Sequence, residues 1–169
     1  MVTDASSSLI ELLPAIAARE HDDPESFPRE SISGLFDAGV IAAPFARDLG
    51  GSDSTLGQSV ADIEAVASVS PSSALIAAMP LGFAGIFGLG EGVAPGNHRA
   101  AFADQIERVA ADYRAGHIYA ACNSEKGAGG SLDATKTTVV KDTDGRFLIT
   151  GEKILASSGK NASTFVSTP

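Results

Sequence analysis

The sequence predicts an α+β protein. An all-α N-terminal domain of about five helices occupies residues 1–116, and the first strands of an incomplete antiparallel β-domain occupy residues 117–169. Three observations carry this reading. Apolar residues recur at helical spacing from Leu9 to Tyr113, and after Gly116 the pattern changes to short alternating runs. Between the first of those runs and a hairpin-like segment lies a polar loop dense in glycine.

Leu9, Leu12, Leu13 and Ile16 follow a polar Ser6-Ser7-Ser8 start and predict a first amphipathic helix ending near Glu20. Pro28 suits the first turn of a second helix, with Ile32, Leu35 and Phe36 on one face and Gly39 as its stop. Val40–Phe45 and Ala46-Arg47-Asp48-Leu49-Gly50-Gly51 then link to a third helix from Thr55 to Val69, with Leu56, Val60, Ile63 and Val66 facing inward. Ser70 caps a fourth segment and Pro71 takes its first helical position. No charge occurs between Glu64 and Glu91, a length that raises a membrane span. Pro80, the glycines at 82, 85, 88 and 90 and the absence of flanking Lys or Arg favour a broken, buried core helix instead. Asn97 caps a fifth helix carrying Phe102, Ile106, Val109 and Tyr113, and Gly116 ends it.

Composition narrows the function classes. At 169 residues, with 44% hydrophobic and 20% charged residues, the chain can bury a core and is not disordered by composition. A net charge of −9 argues against a nucleic-acid partner. Cys122 is the one cysteine, which excludes a disulfide framework and predicts a small buried thiol. Met1-Val2-Thr3-Asp4 lacks the basic and apolar regions of a signal peptide, so a cytoplasmic setting without a membrane span is the default expectation.

The chemistry-bearing stretch is Asn123-Ser124-Glu125-Lys126-Gly127-Ala128-Gly129-Gly130-Ser131, which follows the apolar run His117–Cys122. Taken bare it reads as an ordinary surface turn. Glycines at 127, 129 and 130 with hydroxyls at 124 and 131 also suit a cradle for an anion or a flat polar ring. It is neither a P-loop, since no Gly-Lys-Ser/Thr follows, nor a dinucleotide fingerprint, since Leu132 stands at the third glycine's place. A turn acid such as Glu125 ordinarily accepts N–H groups of its own turn, and Lys126 points to water. His21, His98 and His117 lie in separate segments without carboxylates at ligand spacing, so no metal site is expected. Downstream, Ala134–Lys141, the turn Asp142-Thr143-Asp144-Gly145 and Arg146–Thr150 predict a hairpin, followed by Gly151-Glu152-Lys153-Ile154-Leu155-Ala156-Ser157-Ser158-Gly159.

This order of motifs resembles the acyl-CoA dehydrogenase family, whose middle β-domain has a T-E-P-x-A-G-S-D-like loop, a hairpin ending in G-x-K and a strand carrying W-I-T. Ser124 and Glu125 take the Thr-Glu places, Lys126 the Pro, and Gly127, Ala128 and Gly129 fit directly. Gly130 falls at the family's Ser, with Ser131 one step later, and Leu155, Ala156 and Ser157 occupy the W-I-T places after Gly151 and Lys153. The link from Pro44 to Gly50-Gly51 is similar to the family's P-x-x-x-G-G loop, with one or two extra residues. The resemblance implies FAD, held by Asn123, Ser124, Gly129, Gly130, Ser131, Leu155, Ala156 and Ser157. It implies α,β-dehydrogenation of an acyl-CoA or similar small molecule, in which flavin N5 takes a hydride while a carboxylate removes the α-proton. A homo-oligomeric full-length protein is implied too.

Leu155 replaces the large aromatic that shields the flavin in the family, and Gly130-Ser131 is shifted by one. Such drift matches the divergent branch that includes flavin monooxygenases, the alternative enzyme reading. A helical scaffold that has lost its flavin is the reading from outside enzymology. In the family the catalytic base lies in a C-terminal four-helix bundle, so no catalytic residue is assigned in this chain. The expectation is that these 169 residues alone perform no dehydrogenation and represent a fragment.

Overall fold

The computed structural model describes residues 5–127 and 131–167, and the chain divides into two compact units, Met1–Ile118 and Tyr119–Pro169. The first unit is helical: α1 (Ala5–Asp22), α2 (Arg29–Asp37), α3 (Leu56–Ala67), α4 (Pro71–Val93) and α5 (Arg99–Arg114). Helix α4 packs on α3, α5 and α2, while α1 packs on α2 and α3. Leu9, Ile16, Ile32, Leu35, Phe45 and Val66 are the fully buried centre. Burial of each such side chain contributes about 1.5–3 kcal/mol relative to leaving it in water.

Two helices stop as glycine requires. At the end of α2, Gly39 adopts φ 75°, its N–H donates to Phe36 O (2.9 Å), and the Val40 N–H donates to Leu35 O (3.1 Å). Gly116 (φ 79°) repeats the pattern after α5, with Gly116 N–H to Tyr113 O and His117 N–H to Asp112 O. Both are Schellman closures, in which a left-handed residue turns two orphan carbonyls back onto N–H groups. Ser70 caps α4 as its sequence predicts, accepting the Ser73 N–H at 3.1 Å. Its hydroxyl also lies 2.5 Å from the Glu20 carboxylate, which fastens α1 to the start of α4.

Several helix expectations are corrected. α1 runs on to Asp22, and Pro28 stands at the N-cap of α2, not inside its first turn. Asn97 does not cap α5: it lies in a 3₁₀ turn, Gly96–His98, and its amide faces the His98 ring at 3.3 Å. Helix α4 is continuous through Pro80. Proline removes one helical N–H, and the buried Pro80 carbonyl accepts the Tyr113 hydroxyl at 2.6 Å, tying this point to α5. By length and composition alone Pro71–Leu89 could cross a membrane, and 33% of that window is buried, so the expected core helix keeps one apolar face open. On α3, Val66 is buried but Leu56 is 81% and Val60 49% exposed, against the expectation that both face inward.

The second unit holds β1 (Tyr119–Ala121), β2 (Thr138–Lys141), β3 (Phe147–Thr150) and β4 (Thr164–Val166). β2 and β3 form the expected antiparallel hairpin, with Lys141 opposite Phe147 and Thr138 opposite Thr150. The Asp142 carboxylate accepts the N–H groups of Asp144 and Arg146, and Gly145 takes φ 80° to close the three-residue loop. β1 pairs with β4 in parallel, Tyr119 opposite Thr164, which corrects the expectation of antiparallel pairing throughout. Every residue of the hairpin strands is exposed, with Val140 and Leu148 on one face and Val139, Phe147 and Ile149 on the other. Strands apolar on both faces are the pattern of a sheet covered on both sides.

Candidate functional site

Each unit collects one candidate site. In the β unit, β1 delivers the chain to the loop through the Cys122 N–H, which donates to Val166 O at 2.8 Å. Cys122 is half-buried, more open than its sequence suggests. The loop then runs beside the segment after β3. The Ile154 N–H donates to Ser124 O (3.0 Å), and Lys153 Nζ donates to Asn123 O (3.3 Å). The two segments singled out in the sequence, near 124 and near 155, are thus fastened side by side within this unit.

Glu125 is the fastener. Its residue is 4% exposed, and its carboxylate accepts the Lys136 N–H (2.6 Å), the Thr137 N–H (3.0 Å), the Thr137 hydroxyl and Lys153 Nζ (2.9 Å). These donors reach across 11, 12 and 28 residues of chain, so Glu125 does not serve its own turn as a turn acid ordinarily would. The Thr137 hydroxyl foremost, then Lys153 and the two N–H groups, hold its pKa down at about 2. A carboxylate so occupied is ionised at neutral pH and is a poor general base. Its role is to position the loop. Lys126 is exposed to water as expected.

The predicted ligand-holding residues are placed as follows. Asn123 and Ser124 are half-buried at the fastened end of the loop, and Ser131 is exposed. Gly129 and Gly130 lie outside the described residues. Leu155 is 68% exposed, Ala156 is half-buried and accepts the Gly159 N–H (2.9 Å), and Ser157 is exposed. Sequence reasoning missed two neighbours. Ser158 is buried with φ 69°, and Asn161 Oδ1 is buried without a hydrogen-bond partner among the described residues. Lys153 was matched only as part of a motif, and with Glu152 before it and Ile154 after it the local sequence does not mark it for a buried ion pair. Among the described residues no group of His, Cys, Asp and Glu could hold a metal.

In the helical unit, the open faces of α3 and α4 form a groove of about 880 Å³. Leu56, Val60 and Ile63 wall one side, Ile86 and Leu89 the other, and Gly82 and Gly85 lie along α4. Residues 53–55 close one end; there Asp53, at φ 57°, pairs with Arg47 at 2.9 Å.

No protein-family model and no curated protein matches this sequence. Among solved structures, the crystal structure of nitrososynthase from Micromonospora carbonacea var. africana is similar to it, with a TM-score of 0.77 at 21% sequence identity. The match covers 96% of this chain and 40% of that one, so the chain spans less than half of its neighbour's length. These residues therefore share the fold of the corresponding part of the nitrososynthase chain.

Proposed function

We propose that the chain is part of a flavin-dependent oxidoreductase and that its β unit contributes the flavin-holding segments. The observation that supports this best is the fastening of residues 123–125 against 153–154, which brings both predicted segments to one place. The residues present fit a flavin. Exposed Leu155 offers an apolar surface beside the exposed Ser157 hydroxyl, and the buried, unpartnered Asn161 Oδ1 is an acceptor in the same turn region. Asn123, Ser124, Ser131, Leu155, Ala156 and Ser157 would hold the group, with Gly129 and Gly130 of the same loop. A bound flavin would supply two-electron redox chemistry, and the protein supplies position and electrostatics. Glu125 orients the loop and takes no proton.

In the first reading the substrate is an acyl-CoA thioester that undergoes α,β-dehydrogenation in a cytoplasmic homo-oligomer. The second reading, a flavin-dependent monooxygenase, draws support from the neighbour's name, which describes making a nitroso group, and from Leu155 at the family's aromatic position. Titration of FAD into the 169-residue chain, followed by visible absorbance, tests the common part. Replacing Ser157 by Val is expected to weaken FAD binding up to about tenfold, the worth of one hydrogen bond. An unchanged dissociation constant and spectrum would remove Ser157 from the site. In a flavoprotein that also carries the C-terminal bundle, anaerobic bleaching by a panel of acyl-CoAs supports the first reading, and oxygen consumption without such bleaching supports the second. Bleaching of the 169-residue chain itself would overturn the expectation that it performs no dehydrogenation alone.

A further inference from the structure

The α3–α4 groove has an apolar body and an unequal polar lining. Its volume of about 880 Å³ lies within the range of small-molecule sites. Most of its polar groups already answer one another. The Ser54 and Ser59 hydroxyls lie 3.1 Å apart, the Thr55 hydroxyl donates to Gln58 at 2.9 Å, and Asp53 is paired with Arg47. Glu64 differs: it sits one turn beyond Val60 on the groove face of α3, and its carboxylate has no partner among the described residues. Among the described residues no Lys, Arg or His lines the groove, and the chain carries a net charge of −9. Such a lining attracts a cation and repels the phosphates of a CoA.

We propose that this groove binds a small amphiphilic amine, its apolar body on Leu56, Val60, Ile86 and Leu89 and its ammonium at Glu64. As a substrate class this rests on the oxygen-using reading above, because a nitroso group can be made by oxidising an amine nitrogen, but the binding itself needs no flavin. Depth comes from Gly82 and Gly85, where a Cβ would meet nothing within 4 Å.

The test is calorimetric titration of the 169-residue chain at pH 7 with octylamine, octanol, octanoate and octanoyl-CoA. Octylamine is expected to bind about tenfold tighter than octanol, and octanoate more weakly than either, from one Coulomb pair at a half-open mouth. Glu64→Gln should bring octylamine to the level of octanol and leave octanol unchanged. Gly85→Leu should abolish binding of all four by filling the groove, while raising the helix propensity of α4; Gly82→Leu serves if that variant does not fold. Equal binding of amine and carboxylate, tightest binding of octanoyl-CoA, or no binding at all would overturn the proposal. So would self-association lost in Gly85→Leu without ligand binding, which assigns the groove to a second copy. FAD titration of the same samples separates the two ideas. FAD binding without amine binding overturns the groove proposal alone, and the reverse overturns the flavin reading alone.

Discussion

Replacing Glu125 by Ala is expected to lower the melting temperature of the chain by on the order of 10 °C, because it leaves the buried Lys153 ammonium without its carboxylate and takes the acceptor from three other donors. The Lys153 and Glu125 side chains are 10% and 5% exposed, so neither end can turn to water when the other is lost. Glu125→Gln keeps the shape but supplies one acceptor oxygen where two serve four donors, and should fall between Ala and the parent. Lys153→Met leaves the carboxylate with the Thr137 hydroxyl and two N–H groups, and should cost less than Glu125→Ala. Circular dichroism gives the melting order. Hydrogen exchange at the Thr137 amide then reports the local event, and slow exchange there in Glu125→Ala would show that the network is decorative.

The same network sets a pH dependence. Glu125 has a folded pKa of about 2 against an ordinary value of 4.5, so its contribution to stability is complete above about 4.5. It is lost as the pH falls from there towards 2, where the folded carboxylate itself takes a proton. Acid unfolding of Glu125→Gln should lack this component, which a pair of denaturant titrations at pH 6 and pH 3 measures.

What the sequence could tell follows the range of the forces involved. The stops at Gly39 and Gly116, the Ser70 cap and the Asp142–Gly145 turn are local, and each was legible because its donor and acceptor lie within a few residues. The donors to Glu125 come from 11 to 28 residues away, so local turn logic assigned it to the wrong turn. The parallel pairing of β1 with β4 joins segments 45 residues apart in register and leaves no short-range mark (Tyr119 opposite Thr164). Periodicity correctly found the apolar stripe of α3, but it cannot say whether a stripe is covered. Leu56 and Val60 are exposed along a groove for that reason. Among the ligand-holding candidates, residues 124 and 155 were legible as a spaced pair of motifs, whereas Asn161 carried no motif at all.

Gly51→Ala is expected to cost about 3 kcal/mol or more, the range reached when an added atom meets backbone that cannot rotate away. A Cβ at 51 would fall inside the contact distance of Phe45 O, and 2.8 Å from Ala42 O. These carbonyls are fixed. The turn is closed by Gly51 N–H to Ala46 O (3.0 Å), Ser52 N–H to Ala43 O (3.0 Å) and Asp53 N–H to Phe45 O (3.1 Å), so relief at one point breaks another. Phe45 is 0% exposed, stands edge-on to Tyr113 at 5.3 Å, and through Tyr113 is connected to the carbonyl of Pro80 in α4. Displacing the 42–53 turn therefore loosens the centre of the helical unit, and the neighbouring glycine gives the contrast. At Gly50, φ is 91° and the added Cβ would meet the Arg114 side chain at 2.8 Å, a flexible neighbour that can move. Gly50→Ala should cost about 1 kcal/mol, the usual charge for a left-handed alanine. Gly82→Ala, in open space on α4, should stabilise by up to about 1 kcal/mol through helix propensity. Urea titration of the three variants orders them, and a Gly51→Ala midpoint equal to that of Gly82→Ala would show that the turn yields where its hydrogen bonds say it cannot.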